Sequence, residues 1–209
     1  MFANLSVSVL LDILISIIIS MTIHEATHSF VAHWLGDDTP KKMGRLSLNP
    51  LKHIDIFTTV LLPMVLILLG LPPIFAAKPV PLDSSNIDHG DYGLAIVGVS
   101  GPISNLLLAI LGGIILNSFL VTSQTVYNFL ALFIEVNVAF FIFNMIPFPP
   151  LDGSRLLYAF APEPLQKIMR TIESFGFMGI LLFLLIAFQF IGGPISTLDL
   201  NLTNLIIRL

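Results

Sequence analysis

Two histidines four residues apart, His24 and His28, enclose Glu25, Ala26 and Thr27. On a helix, positions i and i+4 share a face, so both imidazoles can ligate one metal ion. The glutamate between them lies beside that face, where it can take a proton from a water held by the metal. The pattern is short, and a lone match in a soluble helix is more often structural than metal-binding.

The surroundings of the motif change that balance. It lies within an apolar stretch from Leu5 to Ala32, where ionisable side chains are costly and are functional by default. The structural alternative is that these side chains snorkel to the near end of the helix. His24 stands roughly 15 Å of helix ahead of the terminating Gly36, too deep for that. A carboxylate flanked by two histidines at such depth needs a partner, and one zinc ion supplies it.

The elements that must position the motif are those of a membrane protein. The chain is 56% hydrophobic and 11% charged, whereas a soluble domain carries about 25% charged residues. So few charges cannot cover a water-facing surface, and the lipid bilayer must do the covering. Five apolar stretches stand out, near Leu5–Ala32, Phe57–Leu71, Gly93–Leu116, Val126–Phe148 and Phe175–Ile195. Several reach the roughly 20 residues that span a bilayer as a helix. The tail from Ser196 to Leu209 follows Pro194 and is expected to form an interfacial helix. No basic tract suggests a nucleic-acid partner, and the lack of cysteine excludes disulfides and thiolate metal sites. The first stretch has neither a basic start nor a small-residue cleavage site, so it is expected to be a retained helix. No repeat, low-complexity tract or soluble module interrupts the pattern. Residues 1–209 read as a single membrane domain, all-α and polytopic.

Charge sets the topology. Lys41, Lys42, Arg45 and Lys52 lie between the first and second stretches, Lys78 between the second and third, and Arg155, Lys167 and Arg170 between the fourth and fifth. The connection from Asn117 to Thr125 has no basic residue. If every stretch crossed, the two most basic loops would face opposite sides, against the positive-inside tendency. The second stretch is short and interrupted by Pro63. With that stretch re-entrant, all the basic loops face the cytoplasm. The expectation is about four transmembrane helices, a re-entrant element, and an N-terminus outside.

A catalytic zinc takes three protein ligands and keeps one open position. His33, Asp37, Asp38, His53, Asp55, Asp88, His89 and Asp91 all lie in polar loops or past the membrane edge, and nothing places Glu135 near the motif. Asp152 is different. It ends a run, Asn144 to Gly153, in which Pro147, Pro149 and Pro150 break the fourth stretch. Non-helical backbone at membrane depth is tolerated where it is buried in protein or lines a wet cavity. In the preferred topology this break shares a side with His24 and His28.

With these residues in place, the sequence resembles the site-2 protease family of intramembrane metallopeptidases. The likeness rests on His24-Glu25-Ala26-Thr27-His28 and on Asn144, Pro147, Pro150, Asp152 and Gly153. Gly101-Pro102-Ile103-Ser104-Asn105 is similar to a G-P-x-x-N element of that family, and Gly44 to Pro50 is similar to a loop of its short bacterial members. The resemblance covers roughly Thr22 to Leu157. It implies that His24, His28 and Asp152 bind zinc and that Glu25 activates water and then protonates the leaving amine. It implies that Asn144 contacts the substrate carbonyl or backbone, and that the re-entrant element carries short β-strands. For Asn105, hydrogen bonding between helices is the stronger expectation. The PDZ-like and nucleotide-sensing modules of some relatives are not carried over.

The function expected is zinc-dependent hydrolysis of peptide bonds in or near transmembrane segments of membrane-protein substrates. The setting expected is the cell membrane, a prokaryotic plasma membrane given the small chain. A membrane zinc transporter could use the same ligands, but transport needs no Glu25 beside the histidines. A catalytically inactive relative that binds membrane proteins would not need the intact motif.

Overall fold

The computed structural model describes residues 6–54, 80–118, 121–176, 178–179, 183, 186 and 188–209. Helix α1 spans Val7–Trp34, begins at Ser6, whose side chain accepts from the Val9 N–H, and ends just before Gly36. Gly36 has φ +98°, and a Cβ there would come within 2.9 Å of the Asn86 carbonyl oxygen. Only glycine allows both the left-handed turn and that close approach. A single helical turn, α2, follows at Thr39–Lys42. Then come α3 at Asp91–Leu116, α4 at Gln124–Asn144, α5 at Gly153–Phe160, α6 at Glu163–Ser174 and α7 at Phe188–Ile207.

The fold is all-helical among the described residues, and three helices, α1, α3 and α4, are long and apolar enough to cross a membrane. The bundle is apolar outside and polar inside. Leu10, Leu11 and Leu14 on α1 and Leu107, Leu111 and Ile114 on α3 are exposed, while Ser16, Ser20, His24, His28, Asn105 and Asn137 are buried. Lipid tails solvate the apolar faces, so close packing and interior hydrogen bonds hold the helices together. Helix α3 is central and packs on α1, α4, α5 and α7. Its small residues permit this, for a Cβ on Gly113 would come within 2.5 Å of the Ile206 carbonyl oxygen. Ala109, Leu116, Ile134, Val138, Ile142 and Ile206 form one apolar core cluster.

The stretch between α1 and α3 leaves and rejoins the bundle at one end. The Asp88 N–H donates to the Leu35 carbonyl at 2.7 Å. Asp37, fully buried, accepts from the Asp83 N–H at 2.8 Å and the Thr39 N–H at 2.9 Å. Burial opposes ionisation of Asp37, but these hydrogen bonds outweigh it and hold the carboxyl below the usual carboxylate range. The apolar stretch 57–71, expected to be re-entrant with short strands, lies outside the described residues, as do Asp55 and Lys78.

Two expectations are corrected. The tail does not break away at Pro194 to lie along the interface. Helix α7 continues through Pro194 to Ile207, and Asn117 Nδ2 donates to the Ile207 carbonyl at 2.9 Å. Ile195, Leu202 and Ile206 pack on the core, and neighbouring helices can hold a proline-bearing helix together in lipid. Within the fourth apolar stretch α4 ends at Asn144, where the proline-bearing run that was expected to break it begins. The basic connection after it is not a loop. It folds into α5 and α6, joined by an ion pair between Arg155 and Glu173.

Candidate metal centre

His24 and His28 lie one turn apart on α1, and both are buried. His24 Nδ1 donates to Asn105 Oδ1 of α3 at 2.6 Å. The amide nitrogen of Asn105 is itself committed, to the Ser20 carbonyl at 3.2 Å and to Asn137 Oδ1 at 3.0 Å. Its oxygen must therefore face the histidine. His28 Nδ1 donates to the Val97 carbonyl at 2.7 Å, and a carbonyl only accepts. Each ring thus carries its proton on Nδ1 and presents a lone pair at Nε2.

Those lone pairs converge. The two Nε2 atoms are 3.0 Å apart, with the rings edge to face. Asp152 Oδ2 lies 3.0 Å from His24 Nε2 and 3.3 Å from His28 Nε2. Among the described residues, this is the group of carboxylates and imidazoles able to hold a metal ion. Three electron-pair donors facing one another in an apolar bundle repel unless a cation lies between them. Tetrahedral zinc, with bonds of about 2.0–2.1 Å to nitrogen, separates its ligand atoms by about 3.3 Å. The backbone leaves the room required, because a Cβ on Gly101 would come within 2.4 Å of His28 Nε2 and 2.7 Å of His24 Nε2. Two neutral imidazoles and one carboxylate are a donor set that suits zinc.

Asp152 reaches the group because the chain turns sharply after α4. Asp152 immediately precedes α5 and leaves its side chain free of any capping bond; the helix starts at Gly153, where a Cβ would come within 2.4 Å of the Met145 carbonyl oxygen. On the facing side, a Cβ on Gly98 would come within 2.7 Å of Arg155 Cβ and 3.0 Å of the Asp152 carbonyl oxygen. Gly98 and Gly101, nearly one turn apart on α3, thus let α5 and the α1 histidines approach the same stretch of backbone.

The half-buried Glu25 carboxyl makes no hydrogen bond among the described residues and lies within electrostatic reach of His24, His28, Asp152 and His53. Asn144 ends α4, and its side-chain nitrogen donates to the Phe140 carbonyl at 3.0 Å. No hydrogen bond described for Asn144 joins it to the histidines or Asp152. The other candidate ligands lie elsewhere. His33 pairs with Asp38 at 2.8 Å. His53 is fully buried, with Nε2 donating to the Ser47 carbonyl at 2.7 Å. Glu135 lines a separate cavity of about 370 Å³ with Asp12, Asn128 and Thr203. Asn105 does bond between helices, as expected, and it also holds His24. Asn137 was not anticipated, although a polar residue inside an apolar helix is a readable signal.

The sequence profile of peptidase family M50 matches residues 113–188. Over 165 residues the chain is 35% identical to a Bacillus subtilis (strain 168) protein named "Putative zinc metalloprotease YwhC", covering 75% of this chain and 72% of that one. Over 166 residues it is 28% identical to "Putative zinc metalloprotease Rip2" of Mycolicibacterium smegmatis, covering 79% of this chain and 63% of that one. No solved structure matches. A relative this similar along most of both chains shows the family, and the chain belongs to peptidase family M50.

Proposed function

We propose that this membrane-embedded zinc metallopeptidase holds its zinc ion on His24, His28 and Asp152. Its reaction is hydrolysis of peptide bonds in or near the transmembrane segments of membrane proteins. The observation that carries the proposal is the convergence of three ligand atoms at 3.0–3.3 Å inside an apolar bundle. Zinc, when bound, supplies a Lewis acid that polarises the scissile carbonyl and makes water acidic enough to lose a proton. Glu25 takes that proton as general base and returns it to the leaving amine. Asn144 turns from the Phe140 carbonyl to donate to the substrate carbonyl as negative charge develops there. The proline-rich run of turns before Asp152 offers main-chain polar groups along which an unwound substrate strand can lie.

Residues 1–209 form one intramembrane domain, with four spanning helices: α1, α3, α4 and the segment ending in α7. The N-terminus is outside, and the stretch 57–71 is re-entrant. Two contacts at the cytoplasmic end support that reading: Leu35 with Asp88, and Asp37 with Asp83. A chain that leaves and returns at one face makes an even number of crossings. The wet side of the site is then cytoplasmic, and the membrane is the bacterial plasma membrane.

The test pairs metal analysis with membrane proteomics for the parent and Glu25→Gln. The variant is expected to keep zinc while uncut membrane proteins accumulate, because an amide cannot accept the proton. Cleavage by Glu25→Gln at the parent rate overturns the assignment.

A further inference from the structure

A line of hydrogen bonds crosses the bundle from α4 through α3 and ends on His24. The Phe133 carbonyl accepts from Asn137 Nδ2 at 2.8 Å. Asn137 Oδ1 accepts from Asn105 Nδ2 at 3.0 Å. Asn105 Oδ1 accepts from His24 Nδ1 at 2.6 Å. Asn105 and Asn137 are both fully buried.

An isolated asparagine beside His24 would be ambiguous. A carboxamide can turn over, exchanging oxygen and nitrogen with almost no change of shape. With its nitrogen toward the ring, Nδ1 would have to accept, and the ring proton would move to Nε2. That is the atom facing Asp152 and His28, and a protonated nitrogen cannot ligate. Here the turn is blocked twice. Asn105 aims its amide hydrogens at the Ser20 carbonyl and at Asn137 Oδ1. Asn137 cannot turn to suit a reversed Asn105, because its own nitrogen is on a main-chain carbonyl that only accepts. A reversed Asn105 would set oxygen against oxygen in a buried place, and each group left unsatisfied there costs about 1–3 kcal/mol.

We propose that Asn137, acting through Asn105, is a positioning residue that fixes the tautomer of His24 and thereby sets the zinc affinity of the site. This rests on His24, His28 and Asp152 being the ligands. Without Asn137 only the Ser20 carbonyl opposes reversal of Asn105, and the second His24 tautomer, which presents no lone pair to the metal, becomes populated.

The test uses the full chain in detergent, with zinc affinity measured by chelator competition and ¹⁵N-histidine spectra reporting the His24 tautomer. Asn137→Leu should weaken zinc binding by about 10–100-fold, the range for groups that orient a metal ligand, and its spectrum should show both tautomers. Asn137→Asp, in its neutral form with the O–H on the Phe133 carbonyl, keeps an oxygen for Asn105 Nδ2 and should bind zinc close to the parent. If Asn137 merely joined helices, Asn137→Leu would lower thermal stability, leave zinc affinity unchanged in the folded protein, and keep His24 as a single tautomer. That result overturns the proposal. Should Asn137→Leu not fold, Asn137→Ala serves in the same comparison. His24→Ala separates the two levels. If it loses zinc while Asn137→Leu keeps parental affinity, the relay alone fails; if it retains zinc, the ligand assignment fails and the relay with it.

Discussion

Gly101 and His28 are packed so closely that a single methyl group on the glycine would come within 2.4 Å of Nε2. The backbone of α3 is thus one wall of the proposed zinc site, and no side chain can be added there without displacing an imidazole. Gly101→Ala should therefore lose zinc even though alanine favours a helix over glycine by about 1 kcal/mol. Peptidase activity should fall by about 100-fold or more, the scale of a misplacement near 1 Å. Metal analysis and a cleavage assay on the same preparation check this. Full zinc occupancy in a folded Gly101→Ala protein would place the metal elsewhere.

Asp152 is the one anionic member of the proposed ligand set. Asp152→Ala leaves two neutral imidazoles and should reduce zinc from about one per chain to a small fraction after dialysis. His24→Ala and His28→Ala should do the same. Zinc retained fully by Asp152→Ala would reopen the choice among the other acids.

The motif was legible because its geometry is local: residues four apart on a helix share a face wherever the helix goes. Asp152 was legible for a different reason, since the charge pattern and the proline break put it at the same end as His24. The His24–Asn105–Asn137 chain was not, because it exists only when α1, α3 and α4 approach at small residues that no periodicity ranks. The course of α7 was misread because Pro194 is a local signal to stop, whereas Ile195, Leu202 and Ile206 find partners across the bundle. The helices α5 and α6 were hidden in what composition marks only as a basic connection.

The Asp37 staple ties the end of α1 to the segment entering α3. Its carboxyl is held below the ordinary range, so its contribution to stability is present above the unfolded value of about 3.9 and is lost as pH falls through the folded one. Asp37→Ala should lower stability by about 1–3 kcal/mol near neutral pH, the cost of leaving buried N–H donors unmade. The gap from the parent should narrow as pH falls below about 3.9, where the unfolded chain takes up the proton before the folded carboxyl does. Thermal unfolding in detergent at the two pH values reads both. A gap that stays constant with pH would mean that the carboxylate charge adds nothing.

The membrane topology is open to a direct test, because the chain has no native cysteine to confuse labelling. Single cysteines at Ser47, Ser84 and Thr171 should react from the cytoplasm, and those at Ser123 and Arg208 from outside. The first two follow from the Leu35–Asp88 contact, which returns the chain to the face it left. The expectation for Thr171 follows from Asp152 meeting His24 and His28, which fixes the end of α4 at that same face. The expectation for Arg208 follows from the course of α7. The Ile207 carbonyl bonds to Asn117 at the far end of α3, so α7 must finish on the side where Ser123 begins α4. If Arg208 reacted from the cytoplasm, α7 would not complete a fourth span. If Ser84 reacted from outside, the stretch 57–71 would cross the bilayer. His24, His28 and Asp152 could not then meet at one zinc ion, and the proposed mechanism would fail with them.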